Sequence, residues 1–234
     1  MGYYGFFYDP TYILVIIGVI ICTIASLNVS RTFKKYSRVR SMSGMTGREA
    51  AERILQLNGI YDVRVEHISG NLTDHYDPRD KVLRLSDSVY DSQSVAAIGV
   101  AAHECGHAVQ DQVNYAPLDI RGAMVPAANL GSNLAWPLIL IGLIFNSRMS
   151  YYIIMAGVVL FSLAVLFQIV TLPVEFNASH RALVILKNNS VLEDKELKSV
   201  KKVLGAAALT YVAGALSAIL QLIRLLILAN SRDD

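Results

Sequence analysis

The sequence has few charged residues and few cysteines. Of its 234 residues, 17% are Asp, Glu, Lys or Arg and 53% are hydrophobic, which is too apolar for an ordinary soluble domain of this length. The net charge of +2 gives no indication of nucleic acid as a partner. Two cysteines, Cys22 and Cys105, argue against a disulfide framework. No internal repeat is evident. The apolar composition favours a protein that has a lipid bilayer as its partner.

Four apolar stretches are long enough to cross a bilayer, at residues 12–29, 126–145, 151–172 and 204–229. They divide the chain into five predicted segments. These are a first transmembrane segment at 1–30, a cytoplasmic part at 31–125, a transmembrane hairpin at 126–172, a cytoplasmic helix at 173–203, and a fourth transmembrane segment with a short tail at 204–234. We therefore predict a mainly helical membrane protein with about four transmembrane helices.

Basic residues are concentrated in two of these segments. Residues 30–125 and 173–203 contain 18 of the 21 Lys and Arg residues, including a cluster from Arg31 to Arg40 directly after the first apolar stretch. Lys and Arg accumulate on the cytoplasmic side of membrane proteins. The sequence therefore predicts that both termini lie outside and that the two basic segments face the cytoplasm.

A His-Glu-x-x-His motif lies on a predicted helix at 92–112. At about 100° per residue, His103 and His107 lie within about 40° of each other on one helical face, where two imidazoles can bind one zinc ion. Glu104 can take a proton from a water that the metal activates. Cys105 points away from the histidines, and we interpret it as a small buried residue.

A catalytic zinc ion needs a third protein ligand. Two predicted spans separate Glu175 from the motif and return the chain to the same side of the membrane, so Glu175 is the leading candidate. Pro173 suits the first turn of a helix or a bend, and a carboxylate at a helix N-terminus is also stabilised without any metal. Ser179, one turn beyond Glu175, is a candidate hydrogen-bond partner for the site. Competing ligand candidates are His180, His75 and Asp119.

The cytoplasmic part also contains shorter elements. A helix at 46–58 begins with a capping box of Thr46 and Glu49. Two strand-like pieces follow at 63–68 and 82–85, separated by a polar loop at 73–80, and they predict a small β-hairpin or sheet. An exposed edge of these strands would allow an extended substrate to pair with them.

Five motifs together resemble the YugP-type neutral zinc metallopeptidases, which are bacterial membrane proteins. They are Leu-Thr-Asp-His-Tyr-Asp-Pro at 72–78, Ala-His-Glu-Cys-Gly-His-Ala at 102–108, Asn-Leu-Ala-Trp-Pro-Leu at 133–138, Thr-Leu-Pro-Val-Glu-Phe-Asn-Ala-Ser at 171–179, and Ala-Ala-Ala-Leu-Thr-Tyr-Val at 206–212. The resemblance covers nearly the whole chain. It implies a zinc peptidase in the bacterial inner membrane that acts on proteins or peptides.

A weaker likeness connects the chain to membrane metallopeptidases of the HtpX kind. Those enzymes carry a second motif, Glu-x-x-Ala-Asp, in which Ser179 of this chain replaces the Asp. The likeness implies Glu175 as the third zinc ligand and leaves open which group replaces the missing acid. Ser179 and Asp77 are the candidates for that supporting role.

The resulting hypothesis is peptide-bond hydrolysis by a zincin-like α+β part at the cytoplasmic face. In it His103, His107 and Glu175 bind one Zn²⁺, and Glu104 is the general base. The candidates for contacting the substrate or its developing oxyanion are His75, Tyr76, His180 and Arg181. Two alternatives stay open: a non-catalytic membrane scaffold with a structural zinc ion, and an intramembrane protease of the site-2 type. The apolar part of the motif helix, 95–102, is too short to span a membrane and disfavours the latter.

Overall fold

A computed structural model describes residues 9–145 and 148–230. The parts of the predicted terminal segments at 1–8 and 231–234, and residues 146–147 of the predicted hairpin, lie outside the described residues. The six helices of the described chain are α1 (Tyr12–Tyr36), α2 (Gly47–Leu57), α3 (Val95–Gln112), α4 (Ala116–Ile144), α5 (Arg148–Asn188) and α6 (Asp194–Asn230). The three strands are β1 (Arg64–Ile68), β2 (His75–Asp77) and β3 (Val82–Ser86). The prediction of a mainly helical chain with a small sheet is confirmed.

Within the described residues, four helices are long and apolar enough to cross a membrane, namely α1, α4, α5 and α6. This confirms the number of predicted spans, but the helices extend beyond them. Helix α4 begins at Ala116, before the predicted span at 126–145, and contains Pro126 and Pro137 in its interior. Membrane helices tolerate such prolines because neighbouring groups satisfy the freed backbone atoms.

The prediction of a separate helix at 173–203 is wrong. Helix α5 continues through Pro173 to Asn188, and residues from Asp194 onward already belong to α6. The fixed φ of proline is helical, so Pro173 removes one backbone hydrogen bond without forcing the helix to end. Glu175 therefore lies in a helix interior, where a helix N-terminus does not stabilise its charge.

The chain forms two compact units. The first comprises Met1–Ala25, Ile120–Leu172 and Thr210–Asp234. Its helices pack closely at small residues: a Cβ on Gly157 would lie 2.9 Å from the carbonyl oxygen of Ala135. Such contacts supply the van der Waals packing on which helix association in lipid depends. The second unit comprises Ser26–Asp119 and Pro173–Leu209 and contains the sheet and the motif helix.

The sheet of the second unit has the order β1-β3-β2, with β3 parallel to β1 and antiparallel to β2. Strand β3 is central, so residues 82–86 have no free edge, whereas β1 and β2 each have one. The predicted polar loop at 73–80 is partly wrong because His75–Asp77 form β2. His75–Asp77 show no alternation of apolar and polar residues, so no strand was predicted there. They form a strand because β3 pairs with them.

The core of the second unit lies between the sheet and helices α2, α3, α5 and the first part of α6. Its largest buried side chains include Ile54, Leu83, Leu85, Ile98 and Leu186. The capping box at the start of α2 is confirmed: the hydroxyl of Thr46 accepts a hydrogen bond from the amide of Glu49, whose carboxylate accepts one from the amide of Thr46. This core fixes α3, which carries the motif.

Candidate metal centre

Helix α3 holds the two motif histidines on one face. Ser94 caps the helix by accepting a hydrogen bond from the amide of Ala97 at 3.1 Å. The imidazole rings of His103 and His107 are nearly perpendicular, with centroids 4.8 Å apart. Cys105 is fully buried on the other side, where its thiol contacts the carbonyl oxygen of Ala51 at 3.6 Å. The interpretation of Cys105 as a buried residue is confirmed.

Helix α5 approaches α3 closely at one point. A Cβ on Gly106 would lie 2.5 Å from the carbonyl oxygen of Ala178, so only glycine permits this contact between two backbones. Ala178 is fully buried. The contact brings the residues on either side of Ala178, Glu175 and Ser179 among them, next to the motif histidines. Gly106 occupies one of the unspecified positions of His-Glu-x-x-His, and the motif alone gave no reason to single it out.

His103, His107 and Glu175, called here the His-His-Glu group, have ligand atoms that all lie within 4.8 Å of one another. The Oε2 atom of Glu175 is 3.2 Å from Nε2 of His103 and 3.6 Å from Nε2 of His107. Ligand atoms of a tetrahedral zinc site, with bonds of about 2.0–2.1 Å, are about 3.4 Å apart. Two imidazoles and one carboxylate are also a donor set that catalytic zinc uses. The residues present therefore fit a zinc ion.

The other ring nitrogen of each histidine has a hydrogen-bond partner. Ser179 Oγ lies 3.1 Å from Nδ1 of His103, and Gln110 Oε1 lies 3.0 Å from Nδ1 of His107. Because both Nδ1 atoms are engaged, both Nε2 atoms point into the His-His-Glu group. Partners of this kind fix the tautomer and orientation of metal-binding histidines.

A chain of hydrogen bonds fixes the tautomer of His107. The guanidinium of Arg181 only donates, so the atom of Asn177 that meets its Nε at 2.7 Å is the oxygen Oδ1. That oxygen also accepts from Nε2 of Gln110 at 2.9 Å, and Nε2 donates to the carbonyl of Val174 as well. The oxygen of the fully buried Gln110 side chain is therefore left to accept from Nδ1–H of His107. Sequence reasoning missed Gln110; its position on the histidine face of an apolar helix was the available signal.

Burial and nearby carboxylates have opposing effects on the pKa of His107. Burial lowers its pKa, while the hydrogen bond with Glu175 and the nearby Glu104 carboxylate raise it, and the net result is a pKa above the ordinary value for histidine. A metal ion binds only the neutral imidazole, so protons compete with the metal as the pH falls.

Glu104 lies beside the His-His-Glu group and is only 8% exposed. Its carboxylate forms no hydrogen bond or ion pair with any residue that the structure describes. Its carboxylate oxygens are not fully buried, so contact with solvent can satisfy them in place of a protein partner. The carboxylate of Glu104 is thus available for a molecule from outside the chain.

The predicted residues on β2 have local partners instead. The ring of His75 contacts the carbonyl oxygen of Thr73, and Asp77 pairs with Arg84 at 3.5 Å, so neither supports the His-His-Glu group. Tyr76 donates a hydrogen bond of 2.7 Å to Asp111 on α3, and burial raises the pKa of Tyr76. The structure therefore does not bring His75 or Asp77 to the metal group, and it attaches Tyr76 one helical turn beyond His107.

The remaining candidates lie elsewhere in the second unit. His180 and Arg181 line a cavity of about 290 Å³ that contains no member of the His-His-Glu group. At about 100° per residue, Arg181 is about 120° and His180 about 140° around α5 from Glu175, which explains why they do not join it. Asp119 is exposed in the first turn of α4 and is not part of the group either.

Gly106→Ala is expected to destabilise the second unit. The added methyl would meet the backbone of Ala178, which cannot move without separating α3 from α5, at a cost on the order of 1–3 kcal/mol. The midpoint of thermal unfolding of the detergent-solubilised chain should fall. Gly205→Ala is the matched control, because a Cβ on this helical glycine meets no atom within 4 Å and alanine favours helix. Equal midpoints for both variants would contradict the assigned contact.

The fold and the site together define a class: a membrane protein with, in its described residues, four apolar helices and a largely buried His-His-Glu group that could hold a metal ion. The chain belongs to the family described as "Putative neutral zinc metallopeptidase", which matches residues 11–230. It is 48% identical over 211 residues to the "Putative membrane protease YugP" of Bacillus subtilis (strain 168), an alignment that covers 90% of this chain and 92% of that protein. The resemblance inferred from the five motifs is confirmed. No solved structure matches the chain.

Proposed function

We propose that the chain is a membrane-embedded zinc endopeptidase. The observation that carries the proposal is the carboxylate of Glu104 beside the His-His-Glu group, which reaches solvent and has no partner among the described residues. His103, His107 and Glu175 would hold the ion, which when bound activates a water molecule and polarises the scissile carbonyl. The family and the relative's name support peptidase chemistry.

Glu104 acts as the general base and then as a general acid. Its carboxylate accepts a proton from the attacking water and delivers it to the amine that leaves when the peptide bond breaks. Its lack of a partner among the described residues leaves it able to hold that proton. A structural zinc site would have no use for such a group, and it would recruit four protein ligands, whereas the described residues bring three together. These two observations disfavour the scaffold alternative.

Gln110 and Ser179 hold the ligands in position. Each occupies the Nδ1 side of one motif histidine, so that the Nε2 atoms face Glu175. Ser179 stands where enzymes of the HtpX kind have an Asp. We propose that in this chain two neutral side chains, Ser179 and Gln110, orient the two histidines in place of that acid.

Strand β2 is our candidate for the surface that receives the substrate. One edge of β2 pairs with β3, and the other is unpaired within the described residues. Through Tyr76 and Asp111, β2 is tied to the helix that carries the motif. An extended peptide could pair with the free edge of this strand, which Tyr76 attaches to α3.

The charge distribution supports a cytoplasmic site. The second unit contains most of the Lys and Arg residues, including the cluster from Arg31 to Arg40 at the end of α1. We propose that this unit faces the cytoplasm of a bacterial inner membrane and that both termini lie outside. Helix α3 is not among the four helices apolar enough to cross a membrane, which disfavours intramembrane proteolysis of the site-2 type.

Metal removal tests the proposed function. The full chain, purified in detergent, is expected to contain about one zinc ion and to cleave an unfolded polypeptide such as casein. A chelator should abolish cleavage, and added zinc should restore it, because the chemistry requires the ion. Metal content by mass spectrometry and fragments by electrophoresis are the readouts. Cleavage that survives complete removal of zinc would refute the proposal.

A further inference from the structure

An open cavity lies in the unit that contains the metal centre. It measures about 290 Å³ and is bounded by the end of α2 and by one face each of α3 and α5. Aliphatic side chains, among them Val109 and Val184, form part of its wall, and Asn58, Asn177, His180 and Arg181 provide the polar groups. None of the lining residues is acidic. The cavity therefore combines apolar walls with a cationic group.

This cavity is separate from the His-His-Glu group. No member of the His-His-Glu group is among the residues that line it. Measured around α5, Val184 is about 180° from Glu175, so the two residues lie on opposite faces of the helix. A substrate group that is bound at the metal therefore cannot also occupy this cavity.

Arg181 presents an incompletely used guanidinium to the cavity. Its Nε donates to Asn177 at 2.7 Å, and its guanidinium carbon lies 5.9 Å from the centre of the Tyr115 ring. Its two terminal nitrogens form no hydrogen bond with any described residue. These contacts hold the guanidinium plane while leaving donors free, which is the arrangement that binds a carboxylate with two parallel hydrogen bonds.

We propose that the cavity binds a small carboxylate with an aliphatic portion, and that its occupation strengthens metal binding at His107. The carboxylate would pair with the terminal nitrogens of Arg181, while its aliphatic portion contacts Val109 and Val184. Two sources carry this chemistry: the C-terminal residue of a short peptide, and a short fatty acid. A peptide source would include the products of the proposed peptidase.

The connection to the metal follows from the hydrogen-bond chain of Arg181, Asn177, Gln110 and His107. A carboxylate bound to the terminal nitrogens does not disturb the hydrogen bond from Nε of Arg181 to Asn177. It further restrains the guanidinium and, through that hydrogen bond, the side-chain amides of Asn177 and Gln110. A better-ordered Gln110 holds the His107 ring in its metal-binding tautomer. Coupling between two sites is reciprocal, so zinc and the carboxylate strengthen each other's binding by the same factor. This coupling rests on the proposed function, whereas carboxylate binding by the zinc-free chain does not.

The experiment measures binding to the full chain in detergent by calorimetry, without and with zinc. The probes are N-acetyl-leucine and hexanoate, with N-acetyl-leucinamide and hexanol as uncharged controls. Zinc affinity is measured by competition with a chromophoric chelator in the presence and absence of each probe. Arg181→Gln removes the anchor, Val184→Asp places a negative charge in the cavity at a half-exposed position, and Arg64→Gln on β1 is the matched control.

We expect the wild type and Arg64→Gln to bind at least one carboxylate probe and neither uncharged control, and the preferred probe to identify the source. Arg181→Gln and Val184→Asp should each weaken binding at least tenfold. The bound probe should tighten zinc binding about fivefold in the wild type and have no effect in Arg181→Gln. Equal binding of acid and amide, or no binding by the folded wild type, would overturn the site. Binding with unchanged zinc affinity would overturn the coupling, and a chain that binds the carboxylate but cleaves nothing would instead count against the proposed function.

Discussion

Glu104→Gln is expected to reduce cleavage of an unfolded polypeptide by about 10²–10⁴-fold, the usual contribution of a general base. The substitution keeps the size of the side chain but removes its ability to accept a proton from water. Since Glu104 is not one of the three grouped ligand residues, the zinc content should stay that of the wild type. Steady-state cleavage rates together with metal analysis of the same preparation measure both quantities.

Glu52→Gln serves as the matched control, because this half-exposed glutamate on α2 pairs with Arg48 and with no other described residue. It should cleave at the wild-type rate. If Glu104→Gln lost its zinc, the residue would have to be reassigned as a ligand; if it cleaved normally, another group would have to be the base. Either result can be separated from misfolding, because both variants should unfold at similar temperatures.

Glu175→Gln is expected to weaken zinc binding by about 100-fold or more. Loss of a residue that only supports a ligand costs about 10–100-fold in metal affinity, so loss of a charged ligand should cost at least as much. The replacement amide cannot balance the charge of the ion. Zinc affinity from competition with a chelator is the direct readout, and cleavage at limiting zinc should fall in parallel.

Ser179→Ala provides the graded comparison for this result. It removes the partner of Nδ1 on His103 without touching the ligand atoms, so its effect on zinc affinity should be smaller than that of Glu175→Gln. A larger effect for Ser179→Ala, or unchanged affinity in Glu175→Gln, would remove Glu175 from the ligand set. The order of the two effects thus tests the assignment independently of peptidase activity.

The sequence predicted the features that depend on local pattern. The four apolar stretches were visible because a bilayer demands an uninterrupted run of hydrophobic residues, and the capping box of Thr46 and Glu49 because it requires two residue types at fixed spacing. The motif histidines were predictable for the same reason, because their motif also requires particular residue types at fixed spacing. Glu175 was predictable only by combining the number of spans with the need for a third ligand, and the structure brings it within 3.2 Å of His103.

Features that depend on long-range contacts could not be predicted from the sequence. The hydrogen bonds of Gln110 connect two helices whose sequences say nothing of their relative position. The need for glycine at 106 arises from one backbone contact with Ala178. Strand β2 exists because β3 offers it a partner, and Pro173 fails to end α5 because a single lost hydrogen bond does not outweigh the rest of a long helix.

The proposed ligands contribute nitrogen and oxygen but no sulfur, and the nearby Cys105 is turned into the core against Ala51. Zinc sites built on thiolates release their ion when peroxides or electrophiles modify the sulfur. This centre offers such reagents no ligand to attack, and its neighbouring thiol is shielded from solvent. Zinc bound by these three residues would therefore be retained under oxidising conditions that release zinc from thiolate sites.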